Sequence, residues 1–199
     1  MKGKIDIKDH DSCGTGVLFN KNNEFRHSVI ERSLLSLSNM KHRGALSYDG
    51  MTTDGCGILL DIDRKFFQKK LLEEQKLILP NNFSIAVLMV QNNFDYGKIF
   101  LKICSKFNLK IIAEREVDAK KNILGELAQK SCPKIIQIFV APKKNNTASN
   151  HEPSFFKIKK YFDNNFCAEK EIYCVSFSAK TIVYKLSLIH ISEPTRHRG

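Results

Sequence analysis

The longest uninterrupted apolar run in the chain is Ile85-Ala-Val-Leu-Met-Val90. A membrane span needs roughly 20 such residues, so this run reads as a buried strand over residues 83–91. Its neighbours alternate in character. Residues 58–62 read as a strand, and Asp63 stands where it can cap a helix running to about Gln75, with Phe66, Phe67, Lys70 and Leu71 setting its faces. Residues 95–107 carry Ile99, Ile103 and Phe107 four apart, the helical spacing. A strand over 109–117, a helix over 118–130 and a strand over 134–141 follow, with Pro133 at the last boundary. Residues 142–153 are rich in Lys, Asn, Thr and Ser and read as a loop. Residues 154–169 form an amphipathic basic helix, and strands are expected over 172–177 and 181–184. Alternation of this kind fixes only a mixed class, α/β or α+β.

The beginning of the chain reads differently. Residues 14–19 suggest a short strand and residues 20–23 a turn. Ser28-Val-Ile-Glu31 has the spacing of a capping box. Ile30, Leu34 and Leu37 then share one helical face. Lys41, His42 and Arg43 fall in the last turn, where positive charge suits the helix dipole, and Gly44 can end the helix. His42 and Arg43 are thus either helix-end charges or part of a site. Residues 49–57 form a glycine-rich loop. It lacks the Gly-Lys-Ser/Thr ending of a phosphate loop, and a strand, not a helix, follows it.

Composition narrows the class. At 199 residues the chain suits one domain or two small ones. Its 42% apolar and 27% charged content is that of a globular protein. Residues 1–12 have no apolar core, so they are not a secretory signal. The net charge of +11 allows a nucleic-acid partner. The lysines are scattered, however, and do not form an arginine-rich stripe with interleaved aromatics. High Lys, Asn, Ile and Phe with no Trp fit a mutational bias better than a selected surface. The six cysteines, at 13, 56, 104, 132, 167 and 174, form no C-x-x-C pair and have no histidine at zinc-site spacing. Cys104, Cys167 and Cys174 read as small core residues. A reducing, cytoplasmic setting suits the chain, with no membrane or nucleic-acid partner.

Cys13 stands apart. It precedes Gly14-Thr-Gly16 and follows a polar leader. Removal of residues 1–12 would make it the first residue, with a thiol and a free α-amine on one residue. The amine titrates near about 7.7–8.0 and the thiol near about 8.5. The amine can therefore serve as base for the thiol, and the thiolate is the attacking species. With the leader attached the nitrogen is an amide, without useful basicity.

Cys13-Gly-Thr-Gly16, His42-Arg-Gly-Ala45, Thr53-Asp-Gly-Cys-Gly-Ile58 and the segment from Glu171 to Lys185 together resemble the glutaminase domain of the glutamate synthase large subunit. That domain is a class II glutamine amidotransferase of the N-terminal-nucleophile hydrolase type. The departures are Thr53 and Cys56 in place of Gly and Ala within the family's Thr-Gly-Asp-Gly-Ala-Gly, and Ser47-Tyr48 where small residues are common. The resemblance implies an α+β fold, a four-layer αββα sandwich, incomplete in this chain. It makes Cys13 the catalytic nucleophile and gives Gly14, Arg43, Asp54 and Gly55 supporting roles, with His42 packing. The implied activity is hydrolysis of L-glutamine to glutamate and ammonia. The ammonia is then used for reductive amination of 2-oxoglutarate. FMN, an iron–sulfur cluster and a small electron-transfer subunit or ferredoxin are implied for the parent protein, and no cofactor or metal for residues 13–185. Another class II amidotransferase, serving amino-sugar or purine-precursor synthesis, is the near alternative. A non-enzymatic basic binding module is the distant one.

From Leu186 onward the character changes. Residues 186–199 read as a non-native tail resembling a translated sequencing adapter. The family's Arg-Tyr-Ser-x-Asn and His-Asn-Gly-Glu stretches do not occur in these 199 residues. Removing one oxyanion donor alone costs about 10²–10³ in turnover. The chain as written is therefore expected to be an inactive, unstable fragment of an enzyme.

Overall fold

A computed structural model describes residues 14–22, 27–40, 55–91, 94–119, 124–130, 132–143, 151–166 and 172–187. The elements in order are α1 (His27–Asn39), β1 (Gly55–Asp61), α2 (Arg64–Gln75), β2 (Ser84–Val90), α3 (Tyr96–Lys106), β3 (Leu109–Glu116), α4 (Glu126–Lys130), β4 (Lys134–Pro142), α5 (Glu152–Phe166), β5 (Ile172–Ser178) and β6 (Thr181–Ser187). The chain divides into two units, Gly57–Lys185 and Met1–Cys56 with Leu186–Gly199.

The larger unit is built on an antiparallel sheet in the order β3-β4-β2-β5. β2 is central and almost wholly buried, as its unbroken apolar run requires. Ala86, Leu88 and Val90 face one core with Ile136, Ile138 and Val140 of β4. Helices α3 and α5 close that side with Phe100, Ile103, Cys104, Phe155, Ile158 and Phe162. Ile85, Val87 and Phe139 point into a second core, which α2 closes with Phe67 and Leu71 and β6 with Ile182. The rings of Phe67 and Phe139 meet edge-on at 5.6 Å. β1 and β6 form a separate two-stranded sheet.

Two bulges tune this sandwich. Val87 pairs with Ser176 but Leu88 pairs with Cys174, which leaves Val175 as an extra residue on β5. Ile111 pairs with Val140 and Ala113 with Phe139, which leaves Ile112 extra on β3. An inserted residue reverses the facing of everything beyond it. Cys174 and Phe177, three apart, consequently share the α3–α5 core. There Phe177 stacks on Phe155 at 4.4 Å.

Helix boundaries follow local chemistry. The Asp63 side chain accepts a hydrogen bond from the Phe66 N–H at 3.1 Å, which caps α2 as its position suggests. α2 ends at Lys76 in the left-handed region, φ 56°. Asn108, φ 55°, makes the turn from α3 into β3 and is a residue type that tolerates it.

Three expectations need correction. Of the helix foreseen over 118–130, the described residues are helical only in α4, Glu126–Lys130. The Val117 N–H still bonds the Ile135 carbonyl at 2.8 Å, keeping that end with the sheet, and Gly125 is a poor helix former. Residues 14–19 are not a strand. Among the described residues no strand pairs with them, and Val17 and Phe19 are 89% and 82% exposed. An unpaired segment gains no ladder to hold it extended. Third, α1 begins at His27, so Ser28 lies inside its first turn and not at the cap position. α1 has no fully buried residue. Its Ser33 and Ser36 hydroxyls bond back to the Val29 and Arg32 carbonyls, both at 2.8 Å. Elsewhere the order of helices and strands follows the sequence, and the antiparallel pairing is what the structure adds.

Candidate active site

Of the five residues assigned to a site, Cys13, Arg43 and Asp54 lie outside the described residues, as do His42 and Cys167. Gly14 and Gly55 are described, and both are exposed. Gly14 opens the irregular stretch, and Gly55 opens β1. The glycines of the two motifs differ in their surroundings. A Cβ on Gly16 or Gly55 would meet nothing within 4 Å. A Cβ on Gly57 would stand 2.8 Å from the Tyr184 carbonyl oxygen, closer than real Cβ atoms come. Gly57 is therefore glycine because β6 backbone passes over it.

Three of the described thiols are poor candidates for a nucleophile. Burial raises the Cys56 thiol above its ordinary value and pushes Cys104 and Cys174 up to about 12. Since the thiolate is the reactive form, these three stay protonated near neutrality. Cys104 and Cys174 sit in the core, as their sequence context suggests.

Two arginines tie elements of the larger unit together. Arg64 donates to three carbonyls, those of Asn81 (3.1 Å), Phe83 (2.9 Å) and Ala179 (2.6 Å), with its guanidinium 4.8 Å above the Phe83 ring. Desolvation lowers its pKa. It pins the loops before β2 and β6. Arg115 forks onto Glu74, Nε to Oε2 at 2.9 Å and Nη2 to Oε1 at 3.1 Å, and sends Nη1 to Gln137 Oε1 at 2.9 Å. That bonding holds the Glu74 carboxyl below its usual range. Gln137 is 1% exposed. Burial raises the Tyr184 pKa, and Gln137 partly offsets it. Sequence reasoning missed both arginine networks, because their members are far apart in the chain and match no short motif.

A shallow hollow of about 280 Å³ lies where β3 ends and β4 begins, lined by Glu116, Asp118, Pro133 and Lys134 among others. None of the five assigned residues lines it. Among the described residues no group of His, Cys, Asp or Glu could hold a metal ion, and no helix is long and apolar enough to cross a membrane.

Comparison with known proteins gives the local chemistry a setting. Residues 13–192 match the family described as glutamine amidotransferases class-II. The chain is 31% identical over 192 residues to the NADH glutamate synthase of Saccharomyces cerevisiae, covering 89% of the chain and 9% of that protein. It is 33% identical over 188 residues to the ferredoxin-dependent glutamate synthase of Pyropia yezoensis, covering 89% of the chain and 12% of that protein. For the NADPH glutamate synthase large chain of Bacillus subtilis the identity is 30% over 187 residues, with coverage of 89% and 12%. The chain thus spans about a tenth of the length of these relatives.

Proposed function

The chain belongs to the class II glutamine amidotransferases and is related to the glutamate synthases, and from that premise we propose that it carries the nucleophile end of a glutaminase site. The observation that carries the proposal is the family match, which begins at Cys13 itself. The core placement of Cys104 and Cys174 supports it, because neither thiol is presented to a substrate.

In this reading the leader, residues 1–12, is removed and the Cys13 α-amine becomes free. The amine takes the thiol proton as Sγ attacks the side-chain amide carbon of L-glutamine. The tetrahedral adduct collapses, the C–N bond breaks, and the amine's proton leaves with the nitrogen as ammonia. Water then attacks the thioester, releasing glutamate and restoring the thiol. A positioned base contributes roughly 10²–10⁴-fold to such a step. Gly14, Arg43, Asp54 and Gly55 support the nucleophile, and the fold is the four-layer αββα sandwich of N-terminal-nucleophile hydrolases.

The parent protein is, in the same proposal, a cytoplasmic glutamate synthase of nitrogen assimilation. Its ammonia aminates 2-oxoglutarate, with FMN and an iron–sulfur cluster in other parts of the protein supplying the reducing chemistry. A small electron-transfer subunit or ferredoxin serves as partner. The sequence contains no Arg-Tyr-Ser-x-Asn or His-Asn-Gly-Glu stretch, so activity is assigned to the longer protein and not to these 199 residues. Glutamine-dependent ammonia release by the full-length protein tests the reading. Cys13→Ala is expected to abolish it, and retention of ammonia release in that variant would refute it.

A further inference from the structure

β5 and β6 are joined by two residues, Ala179 and Lys180. So short a link ordinarily folds its strands into a hairpin. Here β5 belongs to the four-stranded sheet, and β6 pairs with β1 in the two-stranded one. The link is therefore a corner between sheets, and its own backbone lies outside the strands. Ala179 is 3% exposed, so its N–H and carbonyl need partners that no ladder supplies.

Both partners are charged side chains, and they come from different helices. Glu152, the first residue of α5, accepts at Oε1 from the Ala179 N–H (2.7 Å) and from the Ser178 hydroxyl (3.0 Å). Arg64, the first residue of α2, donates from Nη2 to the Ala179 carbonyl at 2.6 Å. Hydrogen bonds to ionised groups are the shorter and stronger kind. The Ser178 hydroxyl oxygen accepts in turn from the Lys180 and Thr181 N–H groups, at 2.9 and 3.2 Å. The Arg64 guanidinium also reaches the Asn81 and Phe83 carbonyls. A lysine ammonium lacks the rigid fork that serves three acceptors at once.

The corner holds one end of the β1–β6 pair. The Ile62 N–H, just past β1, bonds the Lys180 carbonyl at 2.8 Å. Further along, Tyr184 presents its carbonyl to the place where only a glycine, Gly57, fits. Register is weakly specified in glycine-rich strands, and β1 begins Gly-Cys-Gly. A slip of one residue would bring Cys56 or Ile58 beneath Tyr184, and each carries the Cβ that this place does not admit. Gly57 follows Asp54-Gly55-Cys56 directly in the sequence.

We propose that Arg64 and Glu152 are positioning residues, which clamp the Ala179 corner and so hold β6 in register on β1, the strand that follows Asp54. The consequence for catalysis rests on the glutaminase reading, whereas the register of β1 and β6 does not. An acid at the start of a helix also suits the helix dipole, and substitutions at Glu152 separate the two roles. In the full-length protein, Glu152→Ala removes both acceptor and charge. Glu152→Gln keeps the acceptor oxygen without the charge, and Glu152→Asp keeps the charge with a shorter reach. Arg64→Lys keeps the charge and loses the fork.

Amide hydrogen exchange is the readout that needs no activity. At residues 57–62 it is expected to accelerate about tenfold in Glu152→Ala, Glu152→Asp and Arg64→Lys, with residues 134–140 of β4 unchanged. Glu152→Gln is expected to stay near the wild-type rate. A wild-type rate at 57–62 in Glu152→Ala, or an equal rise at 134–140, would overturn the proposal. Protection kept in Glu152→Asp and lost in Glu152→Gln, the pattern of a helix-end charge, would overturn it too. The glutaminase kcat is expected to fall roughly 10- to 100-fold in the three loosened variants, as small misplacements near a reacting centre do, and to persist in Glu152→Gln. An unchanged kcat beside faster exchange, or ammonia release surviving in Cys13→Ala, would remove the catalytic consequence alone. The exchange result would still decide the register.

Discussion

β2 and the stretch from Gly14 to Phe19 both read as strands from their apolar residues, and they end in opposite conditions. β2 is paired on both sides, and Ile85, Ala86 and Leu88 are wholly buried. Val17, Leu18 and Phe19 are exposed, in irregular backbone. The same residue types become a strand only where other strands supply partners for the backbone groups. The contrast also separates two tasks. The buried sheet carries stability, while the exposed stretch directly follows the residue to which chemistry is assigned. Loops and segment ends commonly carry function for this reason.

The sharpest way to break the contrast is to empty both regions of a ring. Phe139→Ala should destabilise this chain by about 3–5 kcal/mol, because Phe139 is fully buried against Phe67 and Phe83. Phe19→Ala should change stability by no more than about 0.5 kcal/mol. Urea unfolding of both variants measures the pair, and a large cost at Phe19 would contradict its exposure. Next come the glycines. Gly57→Ala must push β6 backbone aside and should cost about 1–3 kcal/mol. Gly16→Ala meets open space and should be neutral or stabilise by about 0.4–1 kcal/mol through the unfolded chain. Thermal unfolding of the two variants side by side checks this.

A smaller effect is expected at the α2 cap. Asp63→Ala should cost about 1 kcal/mol, read from the urea midpoint. The smallest concerns Glu74, whose carboxyl Arg115 holds below its usual range. A lowered folded pKa stabilises at pH values above the unfolded value, about 4.3. The contribution is lost as pH falls through the lowered folded value. The pair is partly exposed, so its worth is about 0.2–1 kcal/mol. Glu74→Gln should therefore be less stable than wild type at pH 7, and the gap should close under acid. A gap that widens in acid would reverse the sign of this assignment.

The legible parts of the fold were those with local causes. The Asp63 cap precedes its helix by one residue, and the unbroken run of β2 announces burial without any partner being known. The bulges at Ile112 and Val175 left no such trace. Both are apolar residues in apolar strands, and only the register shows them to be extra. α4 was overextended because a helical pattern across Gly125 looks continuous in one dimension. At the candidate site the sequence marked Gly57 as part of a motif, but its steric reason lies in Tyr184, 127 positions along the chain. The network of Glu74, Arg115 and Gln137 joins α2, β3 and β4 and was invisible for the same reason. The placements of Cys13, Arg43 and Asp54 fall outside the described residues, so their roles rest on motif and family.

The central claim is that Cys13 acts as an N-terminal nucleophile, and the intact mass of the mature, active full-length protein tests it most directly. The account predicts a mass lacking residues 1–12, with Cys13 as the first residue. An active protein that retains Met1 to Ser12 would contradict it.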